Sequence, residues 1–341
     1  MGEAPRDLVV CYHYPCPDGI FAALSAHLHF KEYPGKVRFQ PLTVYGKHVP
    51  EELGLTGSEI VYMLDFAGPP GFAVGLASLC HEVIVLDHHK TAMEDLGPAD
   101  ARPANLKVTF DMDRSGASIA RDHFQPALPG DVAQMIRIIE DGDLWRWKLQ
   151  ESKAFYAYLG GLKLEYDYNA NPGIFDELVR IDLAKSVDEG QRALDEQDKK
   201  INERLKDSFK ISIGGPASSW GCCLAVRGDG LQDLRSEMGN RLAQRSLDAG
   251  LRGVSCVAYI EPAMEDTSRI KLSFRGIGAE DTTPVTKHFG GGGHAKASSC
   301  ITTLVEFESW RPPALAEGEN AAREGEAHVA EEPSEKRQRS A

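Results

Sequence analysis

The run Val83-Ile84-Val85-Leu86 ends at Asp87-His88-His89, and no other junction constrains the fold of this chain as much. A short apolar run bounded by polar residues reads as a strand buried on both faces, the kind that parallel sheets use. Its carboxyl end then delivers one carboxylate and two imidazoles to the edge where open α/β sheets keep their ligands. A lone histidine is more often a surface residue or a hydrogen-bonded core residue. Three ligand-capable side chains in succession resist that reading. Strand alternation points His88 and His89 to different sides, and each needs a polar partner.

The same pattern occurs twice upstream. Leu8-Val9-Val10-Cys11-Tyr12 is strand-like and ends at His13, and the turn Tyr14-Pro15-Cys16-Pro17-Asp18-Gly19 leads into the apolar helix Ile20-Phe21-Ala22-Ala23-Leu24. Glu59-Ile60-Val61-Tyr62-Met63-Leu64 reads as another strand and ends at Asp65, after which Gly68-Pro69-Pro70-Gly71 breaks the chain. Gathered at one sheet edge, these ends supply a mixed nitrogen and oxygen donor set. Such a set suits manganese, magnesium or a similar divalent ion in a two-metal hydrolytic centre. A helical run over 132–139 then enters Glu140-Asp141-Gly142-Asp143, where Asp141 is the expected ligand and Asp143 the alternative; taken alone, the turn reads as a solvated acidic loop. Ser115 is the expected cap of a following helix, whose first N–H groups would meet a phosphate or only the cap.

The second half has a different texture. A long polar helical stretch, about 184–209, gives way at Gly214-Gly215-Pro216 to short strands such as 222–226 and 254–260. Ile270-Lys271-Leu272-Ser273-Phe274-Arg275 alternates as a strand, with Arg275 a candidate phosphate fork or an ordinary exposed arginine. A short helix between Pro284 and Phe289 opens into Gly290-Gly291-Gly292-Gly293, whose N–H groups can approach an anion beside His294 and Lys296. The fold class is therefore α/β: an N-terminal open, mostly parallel sheet flanked by helices, a long helical linker and a smaller C-terminal α/β domain. The expected boundaries are a metal-binding domain over 1–175, a linker over 176–213, a substrate-binding domain over 214–305 and a disordered tail over 306–341.

Charge limits the partner. With 38 Lys+Arg against 51 Asp+Glu the net charge is −13, which disfavours a grip on long duplex nucleic acid. A small phosphate compound needs only a local basic pocket, for which Lys90, Lys271, Arg275 and Lys296 are candidates. No apolar stretch has the length of a membrane span, the first residues lack a signal-peptide core, and the 7 cysteines are scattered, so a cytoplasmic protein with reduced thiols is expected. Trp145 and Trp147 are expected to pack in a core ahead of stacking on a base.

His13 through Asp18-Gly19, Asp65, Asp87-His88-His89 and Asp141 resemble the ordered motifs of the DHH phosphoesterases, and Gly290 through Ala297 resembles the glycine-rich signature of their associated C-terminal domain. The resemblance spans roughly residues 8–303, and the phrase Tyr12 through Gly19 is similar to the subgroup that contains short-oligonucleotide exonucleases. It implies two divalent ions, manganese first and magnesium, cobalt or zinc as alternatives, bridged by Asp65. His13 would bind one, Asp18 and His88 the other, with Asp141 completing the second. Asp87 would fix an imidazole, and His89 would face the substrate phosphate with Arg275, Gly291, Gly292, Gly293 and His294 as the remaining substrate contacts. The implied activity is hydrolysis of phosphodiester bonds in short oligonucleotides or small nucleotides by a water activated between the cations, with Asp65, His88, His89 and Asp87 as the catalytic set. A phosphomonoesterase or exopolyphosphatase using the same residues is the alternative, and a catalytically impaired nucleotide-binding protein is the alternative of another class. A homodimer is compatible with the resemblance. One departure is Cys16, which stands where many members carry a carboxylate; it is a soft ligand, a neutral thiol beside the site, or a small turn residue.

Overall fold

The computed structural model describes residues 4–312 apart from 45, 262, 263 and 265. Most of the tail expected over 306–341 therefore lies outside the described residues. Contacts divide the chain into two units, one ending at Glu196 and the other beginning at Gln197.

In the first unit, β1 (Leu8–His13), α1 (Pro17–His29), β2 (Val37–Leu42), β3 (Ile60–Leu64), α2 (Phe72–Ala77), β4 (Glu82–Asp87), α3 (Lys90–Leu96) and β5 (Leu106–Phe110) alternate along the chain. The five strands pair in the order β2-β1-β3-β4-β5, every pair parallel. Continuous apolar runs form these strands because both faces are covered. Val10, Tyr12, Leu64 and Leu86 pack on one side with helices α1, α4 (Gly116–Phe124) and α5 (Val132–Asp143), while Val9, Met63, Val83 and Val85 pack on the other with α2. The strand order reverses between β1 and β3. That reversal opens a crevice outside their carboxyl ends, which are His13 and the residue after Leu64, namely Asp65.

Helices α6 (Ser152–Leu162) and α7 (Ile174–Val179) follow, then α8 (Leu183–Arg204). The loop between α6 and α7 is tied back to the end of β1, since the buried Tyr12 hydroxyl donates to the Tyr166 carbonyl at 2.7 Å and accepts the Tyr168 N–H at 3.0 Å.

The second unit carries β6 (Phe209–Ser212), β7 (Cys222–Arg227), α9 (Arg235–Asp248), β8 (Val254–Tyr259), β9 (Arg269–Gly276), α10 (Thr283–His288), β10 (Gly292–His294), β11 (Ala297–Thr303) and α11 (Leu304–Ser309). Its six-stranded sheet runs β10-β11-β9-β8-β7-β6, with only β7 and β8 parallel. Two expected boundaries move. β6 lies in the stretch read as linker, because Ile211 belongs to the apolar core, and the start of the expected tail is α11, whose Phe307 and adjoining Trp310 are fully buried there. A helix this short, with Glu306 and Glu308 on either side of Phe307, gives little periodic signal.

Replacing Tyr12 by Phe keeps the ring and strands the Tyr168 N–H, so urea unfolding should show a loss of about 1–3 kcal/mol. An unchanged midpoint would mean that the hydroxyl does not hold this loop.

Candidate metal centre

Asp65 leaves β3 with φ 57°, a left-handed turn that aspartate tolerates better than branched residues, and its N–H bonds to the Leu86 carbonyl at 2.8 Å. This turn sets a buried carboxylate upright at the rim. One oxygen meets His13 Nδ1 at 3.1 Å and the other meets His88 Nε2 at 3.1 Å. The His13 ring stacks on Phe66, with centroids 5.9 Å apart. Asp65 thus has a different imidazole on each oxygen, the geometry that a bridging carboxylate requires.

His88 gathers the second group. Its Nε2 faces Asp65 at 3.1 Å, Asp143 at 3.5 Å and Asp18 at 3.8 Å. One ring nitrogen donates at most one proton, so it cannot satisfy three carboxylates. Asp18, in the first turn of α1, is anchored from behind by the N–H groups of Gly116 at 2.6 Å and Ala117 at 3.0 Å. The helix end considered for a phosphate is therefore occupied by the protein's own carboxylate, while Ser115 caps it through the Ser118 N–H at 3.3 Å. Burial, and then the charges of Asp65 and Asp143, raise the Asp18 carboxyl well above the ordinary range; burial and Asp65 also raise Asp143. Burial works to raise Asp65 as well, yet the hydrogen bonds from His13 and His88 and the charges of His13 and His89 together hold it low.

Three triads have ligand atoms within 4.8 Å of one another: His13, Cys16 and Asp65; Asp65, His88 and His89; Asp18, His88 and Asp143. Nitrogen and oxygen donors crowded in this way fit divalent cations, which would relieve the repulsion among carboxylates that side chains alone leave standing. Cys16 sits beside His13 and Asp65, and burial followed by the charges of Asp65 and Asp18 pushes its thiol up.

Asp87 shapes the turn between β4 and α3. Its Oδ1 accepts the N–H groups of His88 at 2.7 Å and His89 at 3.0 Å and meets His89 Nδ1 at 2.8 Å, whereas its buried Oδ2 has no partner among the described residues. The His89 side chain is 45% exposed and lines a cavity of about 110 Å³ with Asp65, Phe66, Asp87 and Thr91. Its pKa rises to about 9, first through the bond to Asp87.

Asp141 is not part of this cluster. Its carboxylate accepts the N–H groups of Lys148 at 2.9 Å and Leu149 at 3.1 Å and the Ser152 hydroxyl at 2.6 Å, so it organises the turn into α6. Asp143 lies in the cluster instead, 3.5 Å from His88 Nε2. The two carboxylates part because Asp141, the more buried of them, turns to the loop into α6, while Asp143 stands at helical spacing from Ile136 and Ile139.

In the second unit, a groove of about 420 Å³ is lined by Gly290, Gly291 and Gly292 with Arg269, Lys271 and Ser299. The three other expected contacts, Arg275, Gly293 and His294, are not in that lining; Gly293 pairs with Ser298 between β10 and β11. Arg275 donates to Phe274 O and Ser236 Oγ, and the exposed His294 ends β10 opposite Ala297. Gly291 is required for packing, since a Cβ there would come 2.1 Å from the Ser299 carbonyl. Lys296 is committed to the carbonyls of Gly278 and Glu280, and Lys90 to Glu94. Arg269 escaped the sequence reading because Arg269, Lys271 and Arg275 alternate on one face of β9, and only the lining of the folded groove separates them.

No protein-family model matches the chain. An uncharacterized protein of Acanthamoeba polyphaga mimivirus is 26% identical over 315 residues, covering 88% of this chain and 69% of that one. Among solved structures, the Vibrio pGpG-specific phosphodiesterase PggH aligns with 89% of this chain and 95% of its own at 13% identity and a TM-score of 0.46. Exonuclease RecJ bound to manganese aligns with 89% of this chain and 88% of its own at 14% identity and 0.38, and an exopolyphosphatase-related protein of Bacteroides fragilis with 89% and 90% at 16% and 0.34. Among the described residues no helix is long and apolar enough to cross a membrane.

Substituting Asp143 by Ala should weaken manganese binding at least about tenfold by calorimetry. Asp141→Ala should instead cost about 1–3 kcal/mol of folding stability, because it strands two N–H groups and a hydroxyl. The reverse pattern would return Asp141 to the cation site.

Proposed function

We propose that this chain is a divalent-metal-dependent phosphodiesterase of the DHH type that hydrolyses short oligonucleotides or small nucleotides. The observation that carries the reading is Asp65, whose two oxygens face two different histidine-bearing ligand triads at the point where the sheet order reverses. Two cations, manganese in the first place, would be held by His13 and Asp65 with Cys16 at hand, and by Asp18, His88 and Asp143 with Asp65 shared. When bound, such cations lower the pKa of water toward neutrality and neutralise charge that develops on a phosphate.

The chain's own residues set up the rest. Asp87 holds His89 Nδ1, which leaves Nε2 free to donate toward the cavity beside Asp65. The bond to Asp87 favours the protonated imidazole, which is suited to offer positive charge to a phosphate oxygen. The cavity beside it, about 110 Å³, takes a phosphoryl group more readily than a base with its sugar. In the second unit, Arg269, Lys271 and the Gly290–Gly292 backbone supply a separate groove suited to an anion. The overall charge of −13 is consistent with a short ligand and unsuited to long duplexes.

A manganese-supplemented screen of dinucleotides, cyclic nucleotides, nucleoside bisphosphates and polyphosphate, with EDTA controls, tests the reading. Diester cleavage that EDTA abolishes is the expected result, and Asp65→Ala should lose about 1000-fold or more in turnover while remaining folded. Anhydride cleavage alone would favour an exopolyphosphatase. Metal-independent turnover, or an Asp65→Ala variant of near-normal rate, would refute the proposal.

A further inference from the structure

Trp145 is 80% exposed, whereas the chain's other tryptophans are partly or fully buried. Leaving so large an apolar side chain in water is unfavourable, and a tryptophan serving the core would not be left there. Core packing, expected from the sequence, does not describe this residue. It stands two positions after Asp143, so their Cα atoms are separated by at most about 7.6 Å.

Its backbone is unusual too. Trp145 has φ 51° and Trp147 has φ 49°, in the left-handed region that bulky residues seldom enter. The turn is held by Asp141, whose carbonyl accepts the N–H groups of Arg146 at 2.9 Å and Trp147 at 3.2 Å while its carboxylate secures the residues beyond. Behind Trp145 stand two more rings. Trp147 meets it edge-on with centroids 5.6 Å apart, and Tyr156 meets Trp147 edge-on at 5.5 Å. The Tyr156 ring crosses Gly142, where a Cβ would come 2.2 Å from it, and burial with the charges of Asp143 and Asp18 raises its hydroxyl. A row of aromatic rings thus leads from Gly142, the residue before Asp143, out to solvent.

We infer that Trp145 is the stacking platform for the base of a nucleotide whose phosphate occupies the neighbouring metal centre. This deepens the phosphodiesterase reading and rests on it. Trp147 meets the ring edge-on and is itself backed by Tyr156, which leaves the outer face of Trp145 open to a base. Every base presents a π-face, so the platform favours nucleotides over polyphosphate without choosing among bases.

Tryptophan fluorescence of the full chain with manganese, titrated with AMP and separately with pyrophosphate, provides a test that does not need turnover. AMP should quench and pyrophosphate should not, and the quenching should vanish in Trp145→Ala. For the dinucleotide pApA, Trp145→Ala should raise KM by about 5- to 150-fold with a smaller change in kcat, and Trp145→Phe should restore most of the loss. Quenching by AMP that survives in Trp145→Ala, quenching by neither ligand, or an unchanged KM would each overturn the platform. The phosphodiesterase reading would survive those outcomes if pApA is still cleaved. Quenching confined to Trp145 in a protein that cleaves nothing would keep the platform and remove the activity.

Discussion

Three carboxylates, those of Asp18, Asp65 and Asp143, converge within 3.8 Å of one imidazole nitrogen of His88, and the rest of the first unit is arranged around that convergence. Two like charges 4 Å apart repel by on the order of 4 kcal/mol at the effective dielectric near a protein surface. A single donor nitrogen cannot offset several such pairs. The raised carboxyls of Asp18 and Asp143 express this conflict, and bound cations would resolve it.

Such a cluster persists only if each member is held by something stronger than its neighbours' repulsion. The N-terminus of α4 grips Asp18 from behind, the left-handed turn at Asp65 aims its carboxylate, and the rigid end of β4 presents Asp87 and the two histidines. The parallel sheet supplies the common frame. Because its strand order reverses between β1 and β3, the helices on either side diverge there, and the strand ends meet solvent in a crevice. Asp141 extends the same logic by one layer: its carboxylate is taken up by Lys148, Leu149 and Ser152, and it fixes the turn that follows Asp143 and presents Trp145.

Much of this was legible in the sequence. Runs such as 8–12, 60–64 and 83–86 are buried on both faces, and their apolar continuity announces parallel strands ending at His13, Asp65 and Asp87. The choice between Asp141 and Asp143 was not legible from residue type, because both are aspartates in one acidic turn; only their partners in the folded chain separate them. Trp145 misled for a related reason, since nothing local marks a tryptophan whose backbone turns it outward. In the second unit, alternation identified β9, but Arg269 and Arg275 share one face of that strand, and only the lining of the groove shows that Arg269 stands with the glycine loop.

The most direct measurement is anomalous scattering at the manganese edge from crystals grown with that ion. The account predicts two peaks per chain, one among His13, Cys16 and Asp65 and one among Asp18, His88 and Asp143, with Asp65 shared by both. Peaks at other residues, or none at these carboxylates, would contradict it.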